Sequence, residues 1–307
     1  MKRLLLIACM IQFGYAGLSQ DAEATANADT SYWKTGGLSS LTFTQVSLSD
    51  NWAAGGVNSW SVNGFFTAFA DYQKDKIVWK NAIEMGYGLI NQKIDGENVT
   101  DKTDDRLNLI TDFGYKISEN IAWSSILDFR TQFDEGILRT DLGDSTISKF
   151  FSPAYLIIAT GLSWNPSASF SVSYSPVGGK FTFVGDEELS NAGAYGVDPG
   201  KHARAELGSF LKMSYTTVVV ENVNFDSRLE MFYNYNGNEE FSDVDVNWQN
   251  ILVMKVNDFL TVNWQTLLIY DRDVRFNVTE DNPKGEASGQ FKSVFGVGLS
   301  YNFGQSR

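Results

Sequence analysis

DDRLNLITDFGYKISENIAWSSILDFRTQF, residues Asp104–Phe133, is the stretch from which the fold is read. In its first arm Leu107, Leu109, Phe113, Tyr115 and Ile117 share one side with Thr111. Asp104, Arg106, Asn108, Asp112 and Lys116 take the other side, with Ile110 and Gly114. The second arm sets Ile121, Trp123, Leu127, Phe129 and Phe133 against Asp128, Arg130, Gln132 and Asp134. Side chains alternate faces along a strand, so this period of two gives each arm an oily and a wet side. Only Ser118, Glu119 and Asn120 join the arms. Each arm runs about 14 residues, whereas a soluble strand usually has about 5–6 and a membrane-crossing strand needs about 9–11 plus interfacial ends. Length therefore favours a membrane barrel over a soluble sandwich or lipocalin-like barrel, whose oily face would point inward.

The same alternation recurs along the chain. Before the hairpin it predicts strands at about Leu38–Leu48, Ser59–Ala70 and Ile77–Ile90. After it come Pro153–Trp164, Ser169–Val184, Ala203–Tyr215, Val223–Tyr233, Asp243–Val256, Leu260–Tyr270 and a last strand carrying Phe291, Phe295, Val297, Leu299, Tyr301 and Phe303. With the two arms of the hairpin this makes about twelve. Pro176 and the pair Gly178, Gly179 interrupt the seventh, as a bulge would. Connections after the even-numbered strands are short and those after the odd-numbered ones are long, including Asn91–Thr103, Asp134–Ser152 and Gly185–Gly200. Antiparallel neighbours put all members of each set on one side. The fold expected is therefore all-β: a transmembrane antiparallel up-and-down β-barrel with short periplasmic turns and longer external loops.

No run of 18 apolar residues follows the N-terminus, so a membrane-spanning helix is not available and a closed barrel is required. Lys2 and Arg3 with the apolar run Leu4–Ala16 read as a signal peptide over residues 1–19, followed by a periplasmic tail at 20–37 and a barrel at 38–307. The expected location is the bacterial outer membrane, with its lipid and the barrel assembly machinery as partners. The terminal strand resembles the signal that this machinery reads, although Gly304–Arg307 follow its last aromatic residue, Phe303. Cys9 is the only cysteine, so signal removal leaves no thiol for redox or nucleophilic chemistry. Formal net charge is −13, which argues against nucleic-acid binding.

Gly36 with Gly37, the segment Asn51-Trp52-Ala53-Ala54-Gly55-Gly56 with Asn58 and Ser59 after it, and the cluster Lys74, Asp75, Trp79 and Asn81 together resemble an uncharacterised family of predicted outer-membrane β-barrel proteins. The resemblance implies a barrel in the outer membrane and brings no function and no catalytic residues. Apart from it, the adjacent glycines Gly55 and Gly56 permit backbone angles closed to other residues and would shape the first loop. Asn51 and Trp52 belong to the same loop motif.

His202 is the only histidine. A phospholipase-like barrel would pair it with a serine two positions later, where this chain has Arg204. An omptin-like protease would need an Asp–His couple, for which Asp198 alone is a weak candidate. One histidine and no mature cysteine leave no transition-metal set, and neither a cofactor nor an enzyme is expected. Asp95, Glu97, Asn98, Asp101, Asp104 and Asp105 around Gly96 could supply oxygen ligands to calcium, but without EF-hand spacing.

The wet faces carry Arg106, Asp128, Arg130, Arg204, Glu206, Arg228 and Glu230 as lumen candidates. Two readings follow from them. In the first they line a pathway or binding site for a small hydrophilic solute, with an acidic mouth favouring cations. In the second they pair with one another and close a structural or interaction barrel whose external loops bind a partner or surface glycan. Oligomeric state is left open.

Overall fold

The computed structural model describes residues 31–49, 56–94, 96–140, 143–236, 244–276 and 285–305. The first half of the chain forms β1 (Trp33–Val46), β2 (Ser59–Lys74), β3 (Ile77–Ile94), β4 (Glu97–Lys116), β5 (Ile121–Thr131), β6 (Gly136–Thr140), β7 (Gly143–Ser148) and β8 (Ala154–Trp164). The second half forms β9 (Phe170–Phe183), a short helix α1 (Glu187–Asn191), β10 (Ala203–Val220), β11 (Val223–Asn234) and β12 (Val244–Lys255). It ends with β13 (Leu260–Tyr270), β14 (Arg275–Phe276), β15 (Glu286–Ala287) and β16 (Gln290–Gly304). All strands except β6, β7, β14 and β15 close into one twelve-stranded antiparallel barrel in which each strand lies beside its chain neighbours. The ring is completed where Gly36–Thr42 of β1 pair with Gly298–Gly304 of β16.

The oily side faces out. Leu109, Phe113, Tyr115, Trp123, Leu127 and Ile158 are exposed on the exterior, whereas Ile110, Ile126 and Asp128 on the opposite faces are buried. All seven described tryptophans are exposed. Several of them form an aromatic band at the end that carries the tight turns, called here the turn end. Trp33 lies opposite Tyr72, Tyr72 opposite Trp79, Trp79 opposite Phe113, and Tyr115 opposite Trp123. The Trp33 and Trp79 rings are 5.9 Å apart, and Phe113 and Trp123 are 6.4 Å apart. A water-soluble barrel needs the reverse arrangement, because contiguous apolar surface of this extent is rare on soluble proteins. The lipocalin-like alternative therefore does not hold.

Several expected boundaries move. β1 begins at Trp33, inside the stretch read as a tail, because its aromatic start pairs with Tyr72. Gly37 consequently sits within a strand: a Cβ there would lie 2.2 Å from Thr67 O and 2.3 Å from the Phe303 ring. The polar stretch Asn91–Thr103 is ladder rather than loop, since Asn91 pairs with Thr100 and Ile94 with Glu97. This ribbon rises above the apolar belt, where neither face needs to be oily, so the alternation fades while the hydrogen bonds continue. β10 likewise runs past Tyr215 to Val220 before turning at Glu221 and Asn222.

The long connection Asp134–Ser152 contains the β6–β7 hairpin, and Gly185–Gly200 contains α1. At Pro176, β9 is continuous. Its register shifts against both neighbours there, between Thr160 and Leu162 of β8 and between Gly208 and Phe210 of β10, as a bulge requires. Residues 1–30 lie outside the described residues, and with them the signal peptide and most of the expected tail.

Candidate functional site

Ion pairs cross the lumen at several levels. In mid-barrel Arg228 of β11 holds Glu84 of β3 with two bonds, Nη1 to Oε1 at 2.9 Å and Nη2 to Oε2 at 3.0 Å. β3 and β11 are six strands apart in either direction around the ring, so this pair spans a full diameter. Arg228 Nη2 also donates to Gln249 Oε1 at 2.6 Å, and Asn108 Nδ2 donates to Glu84 Oε2 at 3.3 Å. Arg130 of β5 grips Asp128 through Nε at 2.9 Å and Nη2 at 2.7 Å, and also donates to Glu230 of β11. Arg106 of β4 donates to Gln265 of β13 at 2.8 Å. Beside this layer, Ile126, Ala159, Phe210 and Phe232 form a buried apolar cluster with Ile157 against it. This mid-barrel layer is therefore packed like an interior, and the charges named in it are paired, as burial demands.

The opposite end of the barrel, which carries the long connections, is the loop end. There Lys180 of β9 lies 2.5 Å from Asp245, 2.9 Å from Asp271 and 4.0 Å from Glu206. Arg204 bridges Glu206 at 3.0 Å and Asp273 at 2.6 Å. Lys292 of β16 reaches Asp104 of β4 at 2.5 Å. Between these pairs and the mid-barrel layer lies a cavity of about 420 Å³. Arg106, Arg228, Glu230 and Gln249 line it together with Phe210, Phe232, Leu267 and Ile269, and Ser148, Tyr195 and Val274 reach it from the loop end. Burial raises the Tyr195 phenol to about 12, so it stays neutral, and its hydroxyl donates to Ile147 O at 2.5 Å.

Salt bridges also stitch the loops together. Arg139 of β6 pairs with Asp101 of β4 at 2.9 Å and with Asp144 at 2.7 Å. Asp186 caps α1 by accepting from the backbone N–H groups of Glu188 and Leu189 at 3.1 Å, and Lys149 reaches its other oxygen at 2.6 Å. The hydrogen bond from Lys149 holds the Asp186 carboxyl below its ordinary range, and Asp186 raises the Lys149 amine in turn. The share of Asp186 in the latch is thus complete above the ordinary aspartate range and is lost as pH falls through its lowered folded value. The share of Lys149 is complete below the ordinary lysine range and is lost as pH rises through its raised one. In a Lys149→Met variant the Asp186 carboxyl is expected to titrate at higher pH, as read from its ¹³C shift. An unchanged midpoint would count against the latch.

All seven lumen candidates face inward and bond across or along the lumen. Sequence reading missed Glu84, Lys180, Asp271, Asp273, Asp104 and Lys292 as members of the network. Asp104 stood on a face already read as wet, and Glu84 lies within the predicted strand Ile77–Ile90. Lys180 was masked by the Pro176 break, and Asp271 and Asp273 fell at or beyond the edge of a predicted strand. Of the loop motif, Asn51, Trp52 and Gly55 lie outside the described residues. Gly56 has φ +126°, which glycine alone adopts readily.

His202 is exposed, and its Nδ1 donates to Val184 O at 2.8 Å, tying off the β9–β10 strand ends. Glu97, Asn98, Asp101, Asp104 and Asp105 are in β4, so their side chains alternate faces and do not converge on one ion. Asp95 lies outside the described residues. Among the described residues no group of three or more His, Cys, Asp or Glu side chains is placed to hold a metal. Among the described residues, Asp101, Asp104, Asp186 and Asp273 at the loop end each carry a basic partner.

Residues 43–137 match the sequence profile of a family described as "Protein of unknown function (DUF3078)". No curated protein matches the chain. Among solved structures, an outer membrane channel from Pseudomonas putida F1 is similar over 91% of this chain and 99% of that one, at 11% identity and a TM-score of 0.39. The NanC porin is similar over 88% and 100%, at 7% identity and a TM-score of 0.36. The translocator domain of the autotransporter NalP from Neisseria meningitidis is similar over 97% and 96%, at 8% identity and a TM-score of 0.36.

Proposed function

We propose that this chain is an outer-membrane barrel that is shut at rest and holds a small hydrophilic solute in a vestibule on its external side. The observation that carries the reading is the Glu84–Arg228 pair between diametrically opposed strands. Any water-filled path along the axis has to pass a bonded pair that crosses the diameter. The outward apolar belt supports placement in lipid, and the sidedness of turns and loops supports the outer membrane with the loop end external. The β16 strand ending near Phe303 is the element on which assembly machinery would act.

The same cross-lumen bonding also favours a second reading, a purely structural barrel. The cavity above the plug, lined by both polar and apolar side chains, favours the vestibule. Refolded protein in planar bilayers is expected to show no steady conductance. A large ohmic conductance from the unaltered chain would overturn the shut lumen and restore the open-channel reading.

A further inference from the structure

After β7 the chain crosses the rim of the barrel. Ser148 lines the vestibule, while residues 149–152 form a turn against the outer wall. There the Phe151 ring lies 6.1 Å from Phe129 of β5 and 5.5 Å from Phe183 of β9, both on the outward faces of their strands. The Phe150 ring stands 6.3 Å from that of Phe151, and Phe150 is 60% exposed. Phe151 has φ +59°, which a bulky residue rarely adopts and which persists only where the surroundings hold it.

Height and bonding both fit this turn to lipid. On β5, Phe129 is six residues above Trp123 of the turn-end aromatic band. At about 3.3 Å of rise per residue and a tilt of about 40°, that climb is about 15 Å, against an apolar band about 25 Å tall. Even standing straight above Phe129, the Phe151 ring stays within the band, and Phe150 reaches its upper edge. Hydrocarbon offers no partner to a backbone N–H or C=O, so an irregular segment at that depth has to bond them within the protein. Lys149 N donates to Ser152 O at 2.8 Å, and Ser152 N donates to Lys149 O at 2.9 Å. Phe151 N donates to Thr131 Oγ1 at 3.1 Å, and Phe151 O accepts from Gly185 N at 3.1 Å. Lys149, Phe151 and Ser152 thus have both backbone groups bonded. The charge of Lys149 is held by Asp186 at 2.6 Å, and neither phenyl ring has a polar handle that asks for water.

We infer that residues 149–152 are a lipid anchor: Phe150 and Phe151 seat among the acyl chains at the loop end of the membrane and hold the end of the β6–β7 hairpin at the rim of the vestibule. The inference rests on the lipid-facing belt of the barrel strands, against which the turn lies.

Spin labelling of the refolded full chain in lipid vesicles tests this. Cys9 is the only cysteine, so a Cys9→Ser background takes one label at a time through Phe150→Cys, Leu127→Cys in the belt or Leu138→Cys on β6. Oxygen concentrates among acyl chains and a nickel chelate stays in water, so the ratio of their collision rates with the label reads depth. The oxygen-to-nickel ratio at position 150 is expected to match that at 127 and to exceed that at 138 several-fold. A ratio at 150 equal to that at 138 overturns the inference. So does a label at 150 that neither probe reaches, because a second copy or another protein then covers the rings. If the label at 127 itself reads as aqueous, the belt fails and the anchor with it, whereas an aqueous 150 beside a lipid-facing 127 removes the anchor alone. Should Phe150→Cys not refold, Phe150→Trp in vesicles of brominated lipid decides. Its emission above that of the unaltered chain is expected to be quenched several-fold relative to plain lipid, and unquenched emission overturns the anchor.

Discussion

Arg228→Ala is expected to destabilise the barrel by about 3–5 kcal/mol, the usual consequence of leaving a buried charge without its partner. Two carboxylates lose by this change. Of its side-chain hydrogen bonds Glu84 keeps the amide of Asn108 at 3.3 Å, and Glu230 loses the guanidinium 3.6 Å from its Oε1. Urea unfolding of the refolded protein in lipid vesicles reads the effect. The double variant Glu84→Gln, Arg228→Met removes both charges while keeping bulk, and it is expected to recover much of the loss. With Glu84→Gln and Arg228→Met as the single variants, the double-mutant cycle then gives the coupling energy across the diameter. If the double variant is only as stable as the sum of the singles predicts, the two residues do not act as a unit. Raising salt should change the result little, because the pair is out of solvent and screening acts mainly on exposed charges.

Leu127→Arg is the converse experiment on the outside of the same wall. Leu127 is exposed on β5 and lies opposite Ile158 of β8, well inside the belt. An arginine there is expected to cost about 2–4 kcal/mol if it faces the middle of a bilayer. Leu138 is also exposed, but it stands on β6, which is not part of the barrel. Leu138→Arg is therefore expected to be near neutral in the same urea assay. Equal losses at the two positions would contradict a lipid-facing belt confined to the barrel strands.

Much of this architecture was legible in Asp104–Phe133 because a wall between lipid and a polar interior imposes alternation on every strand that crosses it. Strand number, sidedness and the inward faces of Arg106, Asp128, Arg130, Arg228 and Glu230 all follow from that constraint. It stops where the lipid stops. Above the belt the β3–β4 ribbon and the β6–β7 hairpin keep their backbone bonds with no oily face, so pattern alone marks them as loops. The partner of each lumen charge was also illegible. Periodicity says that Glu84 points inward, but only closure of the ring brings it across the full diameter to Arg228. Likewise no local signal joins Lys180 to Asp245 and Asp271, which belong to other parts of the chain.

The seam between β1 and β16 differs from every other junction in how it is held. Gly36–Thr42 and Gly298–Gly304 belong to the first and last strands of the ring in chain order, and every other junction lies between barrel strands that follow one another along the chain. The seam is therefore the one junction that no turn or loop tethers, and until it pairs β1 and β16 both present open edges. The Glu84–Arg228 tie joins β3 to β11 without using that seam, so the two walls are fastened across the middle as well as around the ring.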